Sequence, residues 1–399
     1  MKNIWMDAAL AMEAETAGLY RDLHRIPEVA FHETGTHAYV RAALDRWGVP
    51  YAAPEDNITV ATLKGALPGA VVGIRCDTDA LPVTEETGLE FASRNPGVMH
   101  ACGHDAHMAC GLSAARMLRD RLSSLHGTVK VIFQPAEEGE AGADRVIATG
   151  LVDDVDVFFA IHVWSPYETG TLHISPVTVS AAVDMFTVTL RGSGGHGATP
   201  EKCVDAVAAG AALVQSLQTV VSRRVSPLVP AVVTVGSFHA GTVGNIVAGT
   251  AELSGTLRAL DEETRTLVET ETENIIRGIT AAYHCAAEWK NRRISDVVRN
   301  DERASAIARA CALEIADGDR VQAQRAMMIG DDFANYGRIA PTCYAQVGIA
   351  DRDKGTDHPH HSGHFRVDED VLPLCAAWMA SFAFRAGREW GEGPRGGKE

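Results

Sequence analysis

Three apolar runs in the first half of the chain each end abruptly in side chains that bind metals or move protons. Residues 70–79 read AVVGIRCDTD and emerge at Asp77 and Asp79. Residues 128–139 read TVKVIFQPAEEG and emerge at Glu137 and Glu138, and residues 155–164, VDVFFAIHVW, emerge at His162. Short apolar runs bounded this way read as strands buried on both faces. Between the first two, Met108, Leu112, Ala115, Leu118 and Leu122 keep helical spacing. Strand, helix and strand in alternation give an α/β sheet, and such sheets place ligand crevices at the C-terminal ends of their strands.

Near residue 180 the pattern changes. In DMFTVTLRG (184–192), Phe186, Val188 and Leu190 alternate with Thr187, Thr189 and Arg191, which predicts a strand with one wet face. A helix after Pro200 is expected, then strands near 231–238 and 250–258, a helix near 261–283 and a strand near 285–291. The order βαββαβ predicts a small α+β insert of ferredoxin-like layout. The α/β pattern then resumes with the buried strand PTCYAQVGI (341–349) and a final helix from about Asp368. The expected organisation is a catalytic domain over 1–180 and 292–399, interrupted by a lid over 181–291. A charged, glycine-rich tail follows Trp390.

A chain of 399 residues, 46% hydrophobic, can bury a large core. Lys and Arg total 36 against 52 Asp and Glu, so the formal charge is 36 − 52 = −16. That excess argues against nucleic acid and anionic membrane partners. No apolar run approaches the roughly 20 residues of a membrane span. Asp7, Glu13 and Glu15 interrupt the N-terminal stretch where a signal peptide needs an apolar core. Eight cysteines without a spacing framework suit reduced thiols in a cytoplasmic protein.

MHACGHDAHMAC (99–110) packs three histidines and two cysteines into twelve positions. Cys102 and His104, on either side of Gly103, can share one metal or bridge two. The alternative is a buried Cys102 with His100 and His107 as polar residues at a helix end. No second CxxC-like pair completes a structural zinc site, so further ligands would come from the strand ends. In QPAEEGEAG (134–142), adjacent carboxylates at a strand end point different ways. One can ligate a metal while its neighbour faces the attacking water. The alternative, an acidic surface loop, suits Glu140 better than Glu137 or Glu138. A lone His162 in an apolar strand end is more often a satisfied core histidine. DHPHHSGHF (357–365) adds four histidines, or is a polar loop.

These segments also carry a resemblance. RCDTDALPVTEETG, MHACGHDAHMACGLSAARML, QPAEEGEAGA, IHVW, GSGGHGATP, GTLRAL, GDDF and HHSGHFRVDEDVLPL stand in the order and spacing of a known family. The chain resembles, over nearly its whole length from Leu23, the dinuclear metallo-amidohydrolases. These include hippurate hydrolase, N-acyl-amino-acid amidohydrolases and the plant auxin–amino-acid conjugate hydrolases. The resemblance implies a zinc-peptidase-like catalytic domain, its mixed sheet flanked by helices, interrupted by an α+β lid and dimerisation domain. It implies two divalent ions (zinc, manganese, cobalt or nickel) held by Cys102, His104, Glu138, His162 and His361. Glu137 falls on the family's general base and Asp79 on an aspartate that orients ligands from behind. His196 and Asn245 (in TVGNIV) match residues that reach the substrate carbonyl, and Arg258 one that contacts the substrate carboxylate. The implied substrate is an N-acyl amino acid or, alternatively, a short peptide cleaved by a dipeptidase or carboxypeptidase-like activity. A homodimer through the lid, or a tetramer, is implied as well.

The chain departs from the pattern at Gly363, where proline is commoner, and at Gly197, where alanine is. GDDF replaces a serine-glutamate-aspartate form, and NIVAGT a proline-containing strand. His358, His360 and His364 are rivals to His361. A catalytically silent binding protein is the reading from another class, and the intact Glu137 argues against it.

Overall fold

A computed structural model of the protein describes residues 3–139 and 141–391. Glu140 and the tail expected beyond Trp390, from residue 392 on, lie outside the described residues. In chain order the elements begin with α1 (Ile4–Ala11), α2 (Glu13–His24), α3 (Thr34–Trp47), β1 (Tyr51–Glu55), β2 (Ile58–Lys64) and β3 (Leu67–Asp77). Helix α4 (His104–Arg119), β4 (His126–Gln134), α5 (Gly142–Ala148), β5 (Val157–Glu168), β6 (Leu172–His173) and β7 (Thr178–Ser180) follow. Next come β8 (Ala182–Arg191), β9 (Gly195–His196), α6 (Ala206–Thr219), β10 (Ala231–Ala240), β11 (Ile246–Val247), β12 (Thr250–Ala259), α7 (Glu262–Ala282) and β13 (Ala286–Ser295). The chain ends through β14 (Val298–Arg299), α8 (Glu302–Ile315), β15 (Val321–Gln322), β16 (Thr342–Ala350) and α9 (Leu372–Glu389). It divides into two compact units; among the described residues, 180–298 and 326–331 form the second and the remainder the first.

The first unit is built on an eight-stranded mixed sheet in the order β1-β2-β4-β3-β5-β16-β6-β15. Its centre is parallel: β4, β3, β5 and β16 run side by side in one direction. These strands are buried along most of their length, as expected where helices cover both faces of a sheet. Helix α4 lies in the core, with Met108, Leu112, Ala115 and Leu118 all fully buried. Helix α9 packs beside it, and its Trp378 indole donates to the Ala308 carbonyl. Strand β5 runs on to Glu168, past the point where the sequence pattern had it emerge. The reason lies in its neighbours. Its ladder with β3 stops at Ala160 opposite Arg75, whereas β16 continues beside it past His162. One edge of β5 is therefore bare at His162 while the other keeps the strand extended.

The second unit carries a four-stranded antiparallel sheet in the order β10-β12-β8-β13, with α6 and α7 packed against it. Counted within the unit this is order 2-3-1-4 over βαββαβ, the ferredoxin-like layout. Phe186, Val188 and Leu190 face its core, whereas Met185 and Arg191 are exposed, the alternation that marked β8 in the sequence. Asp205 and Asp261 cap α6 and α7 by accepting the first free amides of each helix.

Candidate active site

The polar residues at the strand ends converge in the first unit. Cys102 Sγ lies 3.5 Å from His162 Nε2. One ligand atom each from Cys102, Glu138 and His361 lie within 4.8 Å of one another, and so do those of His104, Glu137 and Glu138. Atoms that share a zinc-sized ion at about 2.0–2.3 Å can be no more than about 4.6 Å apart, a span close to the 4.8 Å within which these groupings fall. Glu138 belongs to both groupings. Local structure fixes each contributor. Gly103 precedes α4 at φ 89°, and a Cβ there would come within 2.4 Å of Val163, so glycine lets the cysteine loop lie against β5. His361 is held at φ 63° while its amide donates to Ala101 O, which ties the histidine loop to the cysteine loop. A non-glycine residue in this region is strained, and such strain gathers where neighbours over-determine the geometry.

Hydrogen bonding sets the tautomers. His104 Nδ1 faces the Asp79 carbonyl at 2.8 Å and His162 Nδ1 the Val163 carbonyl at 2.7 Å. A carbonyl only accepts, so in the neutral imidazoles the proton sits on Nδ1 and the lone pair on Nε2, the arrangement a metal needs. His104 Nε2 is buried and has no hydrogen-bond partner; the nearest carboxylate oxygens are 3.7 Å (Asp77) and 4.0 Å (Glu138) away. Burial opposes charge on His104, yet the Asp77, Asp79 and Glu138 carboxylates outweigh it and push the imidazole up to about 10. Burial, with Glu138, Glu137 and Asp77 adding to it, drives the Cys102 thiol well above its ordinary range. Burial and the neighbouring His107 keep His162 neutral. The pocket thus holds an excess of negative charge that divalent cations would neutralise, and the donor set of sulfur, nitrogen and oxygen suits borderline ions.

Asp79 braces the site. Its carboxylate oxygens accept the amides of Glu137 and Glu138, each at 3.0 Å, while its backbone carbonyl holds His104. Of the rival histidines, His360 stacks on Trp164 and accepts the Ser165 amide. His364 pairs with Glu86, and His358 rests against His364. His361 alone of the four faces Glu138, at 3.2 Å. His196, Asn245 and Arg258 belong to the second unit. His196 on β9 pairs with Ile246 on β11, and the amide next to His196, that of Gly197, donates to Asn245 O, so these two residues are neighbours. Arg258 is apart from them: it stands eight residues along β12 from Thr250, roughly 27 Å at strand spacing, and donates to Met328 O.

The sequence reading overlooked a buried layer behind the candidate ligands. Arg75 donates to Asp77 at 2.5 Å, Gln134 at 3.0 Å and Asp332 at 3.1 Å. Asp77 in turn accepts from His107 Nδ1 at 2.6 Å. His107 Nε2 accepts the Val163 amide at 3.0 Å, which is the amide left bare where β3 stops pairing with β5. Both His107 nitrogens are thereby used, so it has no lone pair for a metal although Asp77, His104 and His162 surround it. The available signal was the arginine inside AVVGIRCDTD, since an arginine in a buried strand demands partners.

Comparison with known proteins matches residues 73–385 to the model of peptidase family M20/M25/M40. The chain is 43% identical over 272 residues to the N-acyl-L-amino acid amidohydrolase of Geobacillus stearothermophilus, covering 68% of this chain and 74% of that one. It is 35% identical to the N-acetylcysteine deacetylase of Bacillus subtilis over 94% of this chain and 97% of that one. Among solved structures, a dinuclear metal-binding M20 peptidase of Bacillus subtilis superposes with a TM-score of 0.81 at 31% identity, over 94% of this chain and 98% of that one. With a site of this composition on this fold, and a family match spanning most of its length, the chain belongs to peptidase family M20/M25/M40.

Proposed function

We propose that the protein is a metal-dependent amidohydrolase that cleaves N-acyl amino acids to a carboxylic acid and a free amino acid. The observation that carries this reading is the convergence of Cys102, His104, Glu138, His162 and His361 beside Glu137. Those five side chains would hold two divalent cations. Bound there, the cations would acidify a water and polarise the amide carbonyl. Glu137 takes the proton of the attacking water and passes it to the nitrogen as the C–N bond breaks, which returns Glu137 to its carboxylate form. Asp79 holds the amides of Glu137 and Glu138 so that one carboxylate faces the reacting atoms and its neighbour stays a ligand. Two relatives named for N-acyl amino acid substrates support the substrate class.

Zinc, manganese, cobalt and nickel all suit the donors. Exhaustive chelation should abolish amide hydrolysis, and adding back each ion separately should restore it and rank the metals. Full activity in chelated protein would sink the reading. A panel of N-acyl amino acids against dipeptides separates the aminoacylase from the peptidase alternative.

His196 and Asn245 would donate to the carbonyl oxygen as it becomes an oxyanion, and Arg258 would hold the substrate carboxylate, with closure of the 181–291 lid as part of the cycle. His196→Ala should lower kcat by about 10²-fold and leave metal content unchanged; an unchanged kcat would remove His196 from this role. Exposed Leu228, Phe238, Val243 and Ile246 and the open edge of β10 support a homodimer through this unit, which sedimentation would detect. The eight free cysteines suit a reducing, cytoplasmic compartment, and no helix among the described residues is long and apolar enough to cross a membrane.

A further inference from the structure

The turn that presents Glu137 is held from behind by a side chain the mechanism above does not use. On leaving β4 the chain enters Ala136 at φ 55°, a left-handed conformation that costs a residue with a Cβ about 1–2 kcal/mol. Three successive amides then point at carboxylates. Those of Glu137 and Glu138 donate to Asp79, and that of Ala136 donates to Glu33 Oε1 at 2.9 Å. Successive amides form an anion-binding concavity, filled here by the protein's own acids.

Glu33 is fully buried. It stands at the N-cap position of α3, yet its side chain accepts no amide of that helix. Glu28 takes that duty, accepting the Gly35 and Thr36 amides at 3.1 and 2.7 Å. The Glu33 side chain is diverted instead to Ala136 and, through its other oxygen, to Asn57 Nδ2 at 3.2 Å. Burying a carboxyl away from water is costly, and here the cost is offset by donors from remote parts of the chain, Ala136 and Asn57.

We propose that Glu33 is a positioning residue for hydrolysis, acting through the Ala136 amide to hold the turn that aims Glu137 at the substrate. The inference rests on the reading of Glu137 as the proton carrier. Burial, with Asp79 adding to it, pushes the Glu33 carboxyl up to about 7, so its neutral form is within reach near neutral pH. The neutral acid still offers a carbonyl oxygen to Ala136, and glutamine imitates it.

The test compares Glu33→Ala, Glu33→Gln and Glu137→Gln in the metal-loaded full chain, on the best substrate of the N-acyl panel. Glu33→Ala should lower kcat by about 10²-fold, the cost of roughly 1 Å of misplacement, with KM and metal content little changed. Amide hydrogen exchange should speed up in the segment 130–139 and not across the rest of the unit. Glu33→Gln should retain most of the activity and the slow exchange. Wild-type kcat in Glu33→Ala beside an inactive Glu137→Gln would overturn the inference alone. Equal damage in Ala and Gln variants, with exchange rising throughout the first unit, would overturn it too, because that is plain structural loss. Full turnover in Glu137→Gln would overturn the reading of Glu137 and the inference with it.

Discussion

Glu137→Gln is expected to lower kcat by about 10²–10⁴-fold, the range that a positioned proton carrier supplies, while the protein keeps its full complement of metal. The substitution preserves volume, and its effect is confined to chemistry by the way the loop is held. The turn is fixed by backbone amides, those of 137 and 138 on Asp79 and that of 136 on Glu33, none of which involves the Glu137 carboxylate. Glutamine can accept and donate hydrogen bonds but cannot take a proton from water at neutral pH. Glu138→Gln supplies the contrast, because Glu138 belongs to both ligand groupings, and its loss should empty the site. Metal analysis beside steady-state kinetics separates the two residues. Turnover at the wild-type rate in Glu137→Gln would remove it from the mechanism. Loss of metal from that variant would instead make Glu137 a ligand and exchange the roles of the two neighbours.

The candidate acids at the strand ends were legible because their residue types are out of place where they stand. Two acids after TVKVIFQP are hard to explain as core, and strands of one parallel sheet must deliver their C-terminal ends to one region; the histidine inside FFAIHVW reads by itself as a core residue, and only the resemblance singles it out. The insert was legible for a similar reason: a period-two alternation in β8 separates a buried from an exposed face, and the structure follows it at Phe186, Val188 and Leu190. What could not be read depends on partners remote in sequence. Glu33 before α3 looks like an ordinary helix-start acid, and only the fold brings Ala136, 103 residues later, to its carboxylate. His107 stood in the sequence only as one more histidine of MHACGHDAHMAC or a helix-end polar group. The Val163 amide argues against metal binding by occupying its second nitrogen, and that amide is left bare where the β3–β5 ladder ends at Arg75. Of the four histidines in DHPHHSGHF, the residue pattern alone favours none, and His361 was chosen over its rivals by the resemblance. The strained backbone at His361, pinned by Ala101, selects one of them for Glu138.

Arg75→Met should strongly destabilise the first unit. Arg75 is 1% exposed and bridges two buried carboxylates, Asp77 and Asp332, with Gln134 completing its fork. Methionine fills much of the same volume and also removes the cation, leaving both acids in a low-dielectric interior. Breaking a buried pair in this way costs about 3–5 kcal/mol, and at roughly 2–4 °C per kcal/mol for a unit of this size the melting temperature should fall by about 6–20 °C. Thermal unfolding of metal-stripped protein isolates this effect from any change in metal binding. The burden then differs between the two acids. Asp77 keeps His107 as a donor, and Asp332 keeps the Ala143 amide and Gln134. Neutralising Asp332 in Arg75→Met/Asp332→Asn should therefore recover part of the loss, because one unpaired charge disappears. If instead the two substitutions destabilise additively, or if Arg75→Met alone costs less than about 1 kcal/mol, the size of an exposed pair, the guanidinium is not what holds these acids. The support assigned to His107, Val163 and the proposed β5 ligand His162 would then have to come from packing alone.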